Sequence, residues 1–304
     1  MLKKLIPFCL LHPIKIKYFF LLLLFLNSCK QDVAVDLPPF EEKLVVESYL
    51  QTGDSVLVNI SSSAKITEEM LSFAPNLDVY IFHNESKHKL NYAADRYGAL
   101  HYYLPSSQFT VPNSGELYLE TYFQGKHVTS KATVPEKIKI KLYDVNLDVS
   151  QYFDDIFWEY RAGISVSSIR VSADFKKNSF ILVELKARKK YILQDTVTYY
   201  GWTTIFREYL KIKENQETII INNTTKLEKR ALVDTINVKS YKLFLYAIEN
   251  IHYEFYRATS SQKNDGDLLG SIFGNNITEI QTNINNGYGI FTVMNVDTLQ
   301  KELP

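Results

Sequence analysis

Lys43-Leu44-Val45-Val46-Glu47-Ser48-Tyr49-Leu50, closed by Gln51-Thr52-Gly53-Asp54 and followed by Ser55-Val56-Leu57-Val58-Asn59-Ile60, is a pair of short apolar runs around a turn. β-Branched and aromatic residues suit a pleated, half-buried surface, and Gly and Asp stand where the chain must reverse, so the segment reads as a β-hairpin. The punctuation repeats downstream. Leu77–His83 alternates in polarity, turns through Asn84–Lys87 and returns as His88–Tyr92, while Gly115–Tyr122 turns at Gln124-Gly125-Lys126 and returns through His127 to Val134. About seven short strands at this spacing predict an immunoglobulin-like β-sandwich over 41–136. Residues 61–76 are less regular, which predicts a connection carrying a short helix.

A second antiparallel β domain, sandwich or barrel-like, is expected over 137–304. Val134-Pro135-Glu136-Lys137 marks the boundary. Beyond it, Lys137-Ile-Lys-Ile-Lys-Leu-Tyr143 alternates so plainly that one face must be wet. Residues 147–163 break the rhythm with Asp154, Asp155, Phe157 and Trp158, which predicts an insertion or short helix. Strands resume at 164–175, 180–187, 199–209, 217–222 and 240–248, with two more near 279–283 and 289–293. A helix is predicted over 250–263, where Ile251, Phe255 and Ala258 share a stripe. Composition agrees with a mainly β protein: 21 Tyr and 18 Phe stand against 11 Gly among 304 residues. Lys plus Arg and Asp plus Glu both total 34, so no overall field draws in nucleic acid.

The amino terminus carries an address. Lys3, Lys4, Lys15 and Lys17 precede the uninterrupted apolar run Tyr18–Leu26. That run is far shorter than the roughly 20 residues that span a bilayer as a helix, and it has the size of a signal-peptide core. Leu26-Asn27-Ser28-Cys29 then has the form of a lipobox, with Asn27 its unusual member. Cleavage after residue 28 leaves the Cys29 thiol for diacylglyceryl attachment, and residues 29–40 become the lipidated cysteine and a linker ending in Pro38-Pro39. Cys9 departs with the leader, so the mature chain has one cysteine and no internal disulfide. The expectation is a protein lipid-anchored to the outer membrane, facing either the periplasm or the cell surface.

Several of these pieces together resemble the domain of unknown function 4249 family of Bacteroidota outer-membrane lipoproteins. They are Cys29, Leu44-Val-Val-Glu47, Gly115-x-x-Tyr118, Gly125-Lys126, Ala132-Thr-Val-Pro135 and Thr282-Asn-Ile-Asn-Asn-Gly-Tyr-Gly-Ile-Phe291. Order and spacing agree over the mature chain, least well across 147–230. The resemblance implies an envelope accessory protein, often encoded beside TonB-dependent receptors, and supplies no catalytic residues. Within its last motif, Asn285-Asn286-Gly287-Tyr288-Gly289 reads as a strand-flanked turn, with both glycines available for positive φ. It is a turn closing the second sheet or, as the sharper alternative, a ligand loop.

Chemical signatures are sparse. Gly-x-Ser-x-Gly, the phosphate-cradling glycine loop and His-Glu-x-x-His are missing from the sequence. His83 and His88 flank one turn and can face each other across strands, but zinc needs a third or fourth ligand. Asn264-Asp-Gly-Asp267 lacks the alternating oxygen ligands of a calcium loop. Lys186, Arg188, Lys189 and Lys190 form a basic cluster without the interleaved aromatics of a nucleic-acid surface. No cofactor, metal or catalytic set is expected. The reading is a non-catalytic binding or accessory subunit of an outer-membrane TonB-dependent transporter; the alternative is a structural envelope lipoprotein that binds glycan, peptidoglycan or a neighbouring protein.

Overall fold

The first hairpin forms as its alternation dictates. In the computed structural model, which describes residues 41–63, 77–94, 100–154, 159–193, 196–213, 216–222, 226–227, 235–264 and 280–303, strand β1 (Leu44–Gln51) pairs antiparallel with β2 (Val56–Ser62). Leu44, Val46 and Leu50 point inward with Val56, Val58 and Ile60. β3 (Tyr80–His83) and β4 (Ser86–Lys89) turn through Asn84, which takes φ 52°. The chain then passes through buried Leu90 into another sheet as β5 (Asn91–Ala94), paired with β6 (Leu100–Leu104). The single return strand expected over 88–92 is therefore two strands in two layers, split where Leu90 enters the core. β7 (Glu116–Phe123) and β8 (Lys126–Thr133) close through Gln124 and Gly125, both at positive φ as a two-residue hairpin turn requires.

Longer strands follow. β9 (Ile140–Asp154) and β10 (Glu159–Ala173) pair from Asp154↔Glu159 back to Ile140↔Ala173. Where an insertion or short helix was expected across 147–163, the described residues 147–154 and 159–163 are instead strand, paired with each other in one antiparallel ladder. The alternation Leu147-Asp-Val-Ser150 runs on into the ladder, and Asp155, Phe157 and Trp158 lie outside the described residues. β11 (Phe180–Leu193), β12 (Thr196–Lys211), β13 (Thr218–Asn222), the two-residue β14 (Lys226–Leu227) and β15 (Thr235–Ile248) lead to helix α1 (Asn250–Asn264). No helix among the described residues is long and apolar enough to cross a membrane. The chain ends with β16 (Ile284–Asn285) and the 16-residue β17 (Gly287–Glu302). Residues 64–76 and 265–279 lie outside the described residues, and with them the short helix expected within 61–76.

Among the described residues the strands form three sheets: β12-β11-β15-β17-β1-β2-β6-β5, then β13-β10-β14 with β9 on β10, then β16-β8-β7-β3-β4. Two hydrophobic clusters lie between them. One joins Val46, Val58, Tyr102 and Phe291 to Ile81, Leu117, Leu119 and Val128; the other joins Ile181, Val183, Leu185, Leu243 and Leu245 to Ile169, Val171 and Tyr143. Each such side chain contributes about 1.5–3 kcal/mol by leaving water, so layered β-sandwich packing is what the alternation stabilises. The fold is mainly β, with sandwich-like layers and one helix among the described residues.

β17 belongs to both layers of packing. Gly287–Met294 runs parallel to β1, and Asn295–Glu302 runs antiparallel to β15. Ile284, Phe291 and Val293, assigned by the sequence reading to the second domain, thus pack in the first cluster. Asn295 marks the changeover and is buried. Its Nδ2 donates to the Pro135 carbonyl (3.0 Å), and its Oδ1 accepts from Thr52 Oγ1 (3.1 Å). Two residues on, Asp297 accepts from the Ile140 amide (2.9 Å) and pairs with Lys137 (3.0 Å), so the segment between the two clusters is tied to the last strand.

Candidate binding surface

The carboxy-terminal motif is a stitch between two sheets. β16 pairs with β8, Ile284↔Ser130 and Asn285↔Thr129, while β17 leaves for β1 two residues later. Asn286 makes the reversal at φ 57° and donates from Nδ2 to the His127 carbonyl (2.9 Å). Gly289 takes positive φ (102°), as its residue type allows; Gly287 does not, and is glycine because a β-carbon there would lie 2.8 Å from the Leu44 carbonyl oxygen. Asn283 holds the crossing closed. Its amide acts as a strand partner, donating to the Phe291 carbonyl (2.7 Å) and accepting from the Phe291 amide (3.0 Å). The turn therefore closes the first sandwich rather than the second sheet. Of its residues, Asn285, Asn286 and Tyr288 are exposed, Asn285 donating to Thr129 Oγ1 (3.2 Å) and Tyr288 lying under Lys43 Nζ (4.9 Å).

Asn285 borders a broad face. Register sets Lys89, Tyr80, Glu120 and Thr129 in one row across β4, β3, β7 and β8, and Lys87, Phe82, Tyr118 and Lys131 in the next. Tyr118 is 41% exposed and Tyr122 58%. Lys87 Nζ lies 3.9 Å above the Tyr80 ring and 3.8 Å from Glu120 Oε1, and Lys131 reaches Glu116 at 2.5 Å. Tyr122 stacks on His127 with centroids 4.7 Å apart and 17° between planes. An open cleft of about 320 Å³ runs between Phe82, Asn84, Tyr118, Glu120 and Thr129. These strands are legible in the sequence; the surface they build together is not. Its signal was Glu116-Leu-Tyr-Leu-Glu-Thr-Tyr122, where the wet phase of the alternation holds tyrosines as well as charges.

The histidines at the edge of this sheet are already occupied. His83 Nδ1 donates to the Glu116 carbonyl (3.0 Å), and its Nε2 accepts from Asn84 (3.2 Å). His88 packs on Phe109, centroids 4.6 Å apart. Among the described residues no group of three or more His, Cys, Asp or Glu side chains is placed to hold a metal ion. Cys29 and Asp265–Asp267 lie outside the described residues.

A second polar cluster, not foreseen, lies on the outer side of the eight-stranded sheet. Glu184 is buried in the middle of Phe180-Ile-Leu-Val-Glu-Leu-Lys-Ala187, and an acid inside so apolar a strand was the available signal. It accepts from Arg207 (2.6 Å), Thr204 (3.0 Å) and Tyr246 (3.2 Å), with Lys186 Nζ at 3.4 Å. Burial drives the Glu184 carboxyl up, but Arg207 with Thr204 and Lys186 outweighs it and holds the group below the usual range. Helix α1 covers neighbouring rings: His252 lies 5.1 Å from Tyr49 and 5.6 Å from Tyr209, and Tyr256 stacks on Tyr209 at 3.7 Å. The buried stripe is thus His252 and Ala258 rather than one led by Ile251, because the sheet beneath is aromatic and polar. Burial lowers His252 to about 4 and raises the neighbouring Glu249 carboxyl, which accepts from the Thr133 amide and Thr292 Oγ1.

A family model described as Domain of unknown function (DUF4249) matches residues 30–300. The chain belongs to this family. No curated protein matches this DUF4249 chain. Among solved structures it is similar to a DUF4785 family protein from Legionella pneumophila, with 11% identity over 66% of this chain and 51% of that one and a TM-score of 0.20. It thus spans about half the length of that protein. Bovine butyrophilin is similar at 8% identity over 68% of this DUF4249 chain and 92% of its own, with a TM-score of 0.19.

Proposed function

We propose that this protein is an envelope lipoprotein, held at the outer membrane by acyl chains on Cys29, whose β-rich body is a non-catalytic binding or accessory subunit of a TonB-dependent transporter. Support for the anchor is the leader and lipobox. Support for the partner is the resemblance to Bacteroidota lipoproteins encoded beside such receptors. One observation carries the binding role: the five-stranded sheet leaves Tyr118 and Tyr122 in water beside a cleft, on a face stiffened by ion pairs and ring contacts. Tyrosine is enriched where proteins bind, because one rigid ring supplies contact area and a polar tip.

The partner is tested by tagging the full chain, solubilising membranes in mild detergent and identifying what co-purifies. The reading expects a TonB-dependent receptor in repeated preparations. Its consistent absence, with the tagged chain intact in the membrane fraction, contradicts the accessory role.

A further inference from the structure

The outer face of the five-stranded sheet has a chemistry that narrows its ligand, given the reading of the chain as a binding subunit. We propose that this face binds a neutral glycan, with Tyr118 and Tyr122 as stacking platforms and Glu120, Asn84 and Thr129 reading hydroxyl groups. Charge comes first. Lys87 is paired with Glu120, Lys89 with Asp78 (2.5 Å) and Lys131 with Glu116. Each of these cations thus has a carboxylate partner, so a charged ligand would have to break a pair, whereas an uncharged polyol only adds hydrogen bonds around them.

Shape comes next. Tyr118 and Tyr122 lie four residues apart on the same side of β7, which places them on the order of 13 Å apart along the strand. Between them Glu120 projects from the same face, and Thr129 and Asn285 continue its row on β8 and β16. Sugar rings present flat C–H faces to aromatics and hydroxyls at their rims, which matches rings separated by carboxylate, amide and hydroxyl groups. The cleft beside Tyr118, about 320 Å³, is of the size of a small-ligand site. An extended peptide would instead seek unpaired backbone at a sheet edge, whereas this surface is a face built from side chains.

The test is affinity electrophoresis of the full lipidated chain in detergent, through gels containing neutral polysaccharides (α-glucan, β-glucan, mannan and xylan separately). Titration calorimetry with oligosaccharides of the retarding polymer and with a mixed-sequence peptide panel follows. The proposal expects retardation by at least one polymer, and about a tenfold loss of affinity in Tyr118→Ala, as removal of one stacking contact implies, with Tyr118→Phe keeping most of it. It is overturned if none of the four polymers retards a correctly folded chain, if binding survives Tyr118→Ala combined with Tyr122→Ala, or if the peptides rather than the sugars bind with that tyrosine dependence. Recovery of a transporter without sugar binding would reject this proposal alone and leave the accessory role standing.

Discussion

Gly289 passes Val46 so closely that a β-carbon on it would lie 2.0 Å from the Val46 carbonyl oxygen. The contact is backbone against backbone in the parallel ladder that pairs Val46 with Gly289, and φ at Gly289 is 102°. Neither obstacle yields to a side-chain rotation. Gly289→Ala should therefore cost roughly 3 kcal/mol or more, combining left-handed strain with displacement of β1. Urea denaturation followed by circular dichroism checks this; an unchanged midpoint would mean that β17 does not seat against β1 as described.

Glu184 and Arg207 provide a second test. Arg207→Met keeps the aliphatic stem but strips the buried carboxylate of its closest partner (2.6 Å). The expected loss is roughly 2 kcal/mol, below the 3–5 of a fully buried pair because the arginine is itself half in solvent. Adding Glu184→Gln should recover much of it, which a double-mutant cycle in urea measures. The pair also has a pH signature. A carboxyl held below its unfolded value stabilises above about pH 4.3 and loses that contribution as pH falls through its folded value.

His252 acts over a different window. Its folded value of about 4 lies below the ordinary 6.5, so the unfolded chain binds the proton first and stability falls as pH drops from 6.5 towards 4. The full effect is at most roughly 3 kcal/mol. Glu249 opposes it: a carboxyl raised by burial favours the folded state as pH falls through its range. His252→Gln should flatten the decline between pH 6.5 and pH 4, read as denaturation free energy at several pH values. An unchanged slope would show that helix α1 does not keep this ring dry.

Local chemistry made half of the fold legible. The β1–β2 and β7–β8 hairpins follow from alternation and from Gly53, Gln124 and Gly125, which act over a few residues. β17 was not legible at its true length, because its pairing with β1 joins opposite ends of the chain and its second half answers to β15. The same holds for the surface. Tyr118 and Tyr122 can be read as outward-facing from β7 alone, but their union with Phe82, Tyr80 and Asn285 depends on register across three neighbours. Glu184 shows the opposite failure: an acid in an apolar run invites a question, and only the folded sheet supplies Arg207 as the answer.

Mass analysis of the amino-terminal peptide, from chain purified out of native membranes, tests the central proposal most directly. This peptide is expected to begin at Cys29 and to carry the added mass of acyl chains, and Cys29→Ser is expected to move the protein into the soluble fraction. A native amino terminus without acyl mass, on a protein that fractionates with the cytosol, would contradict it.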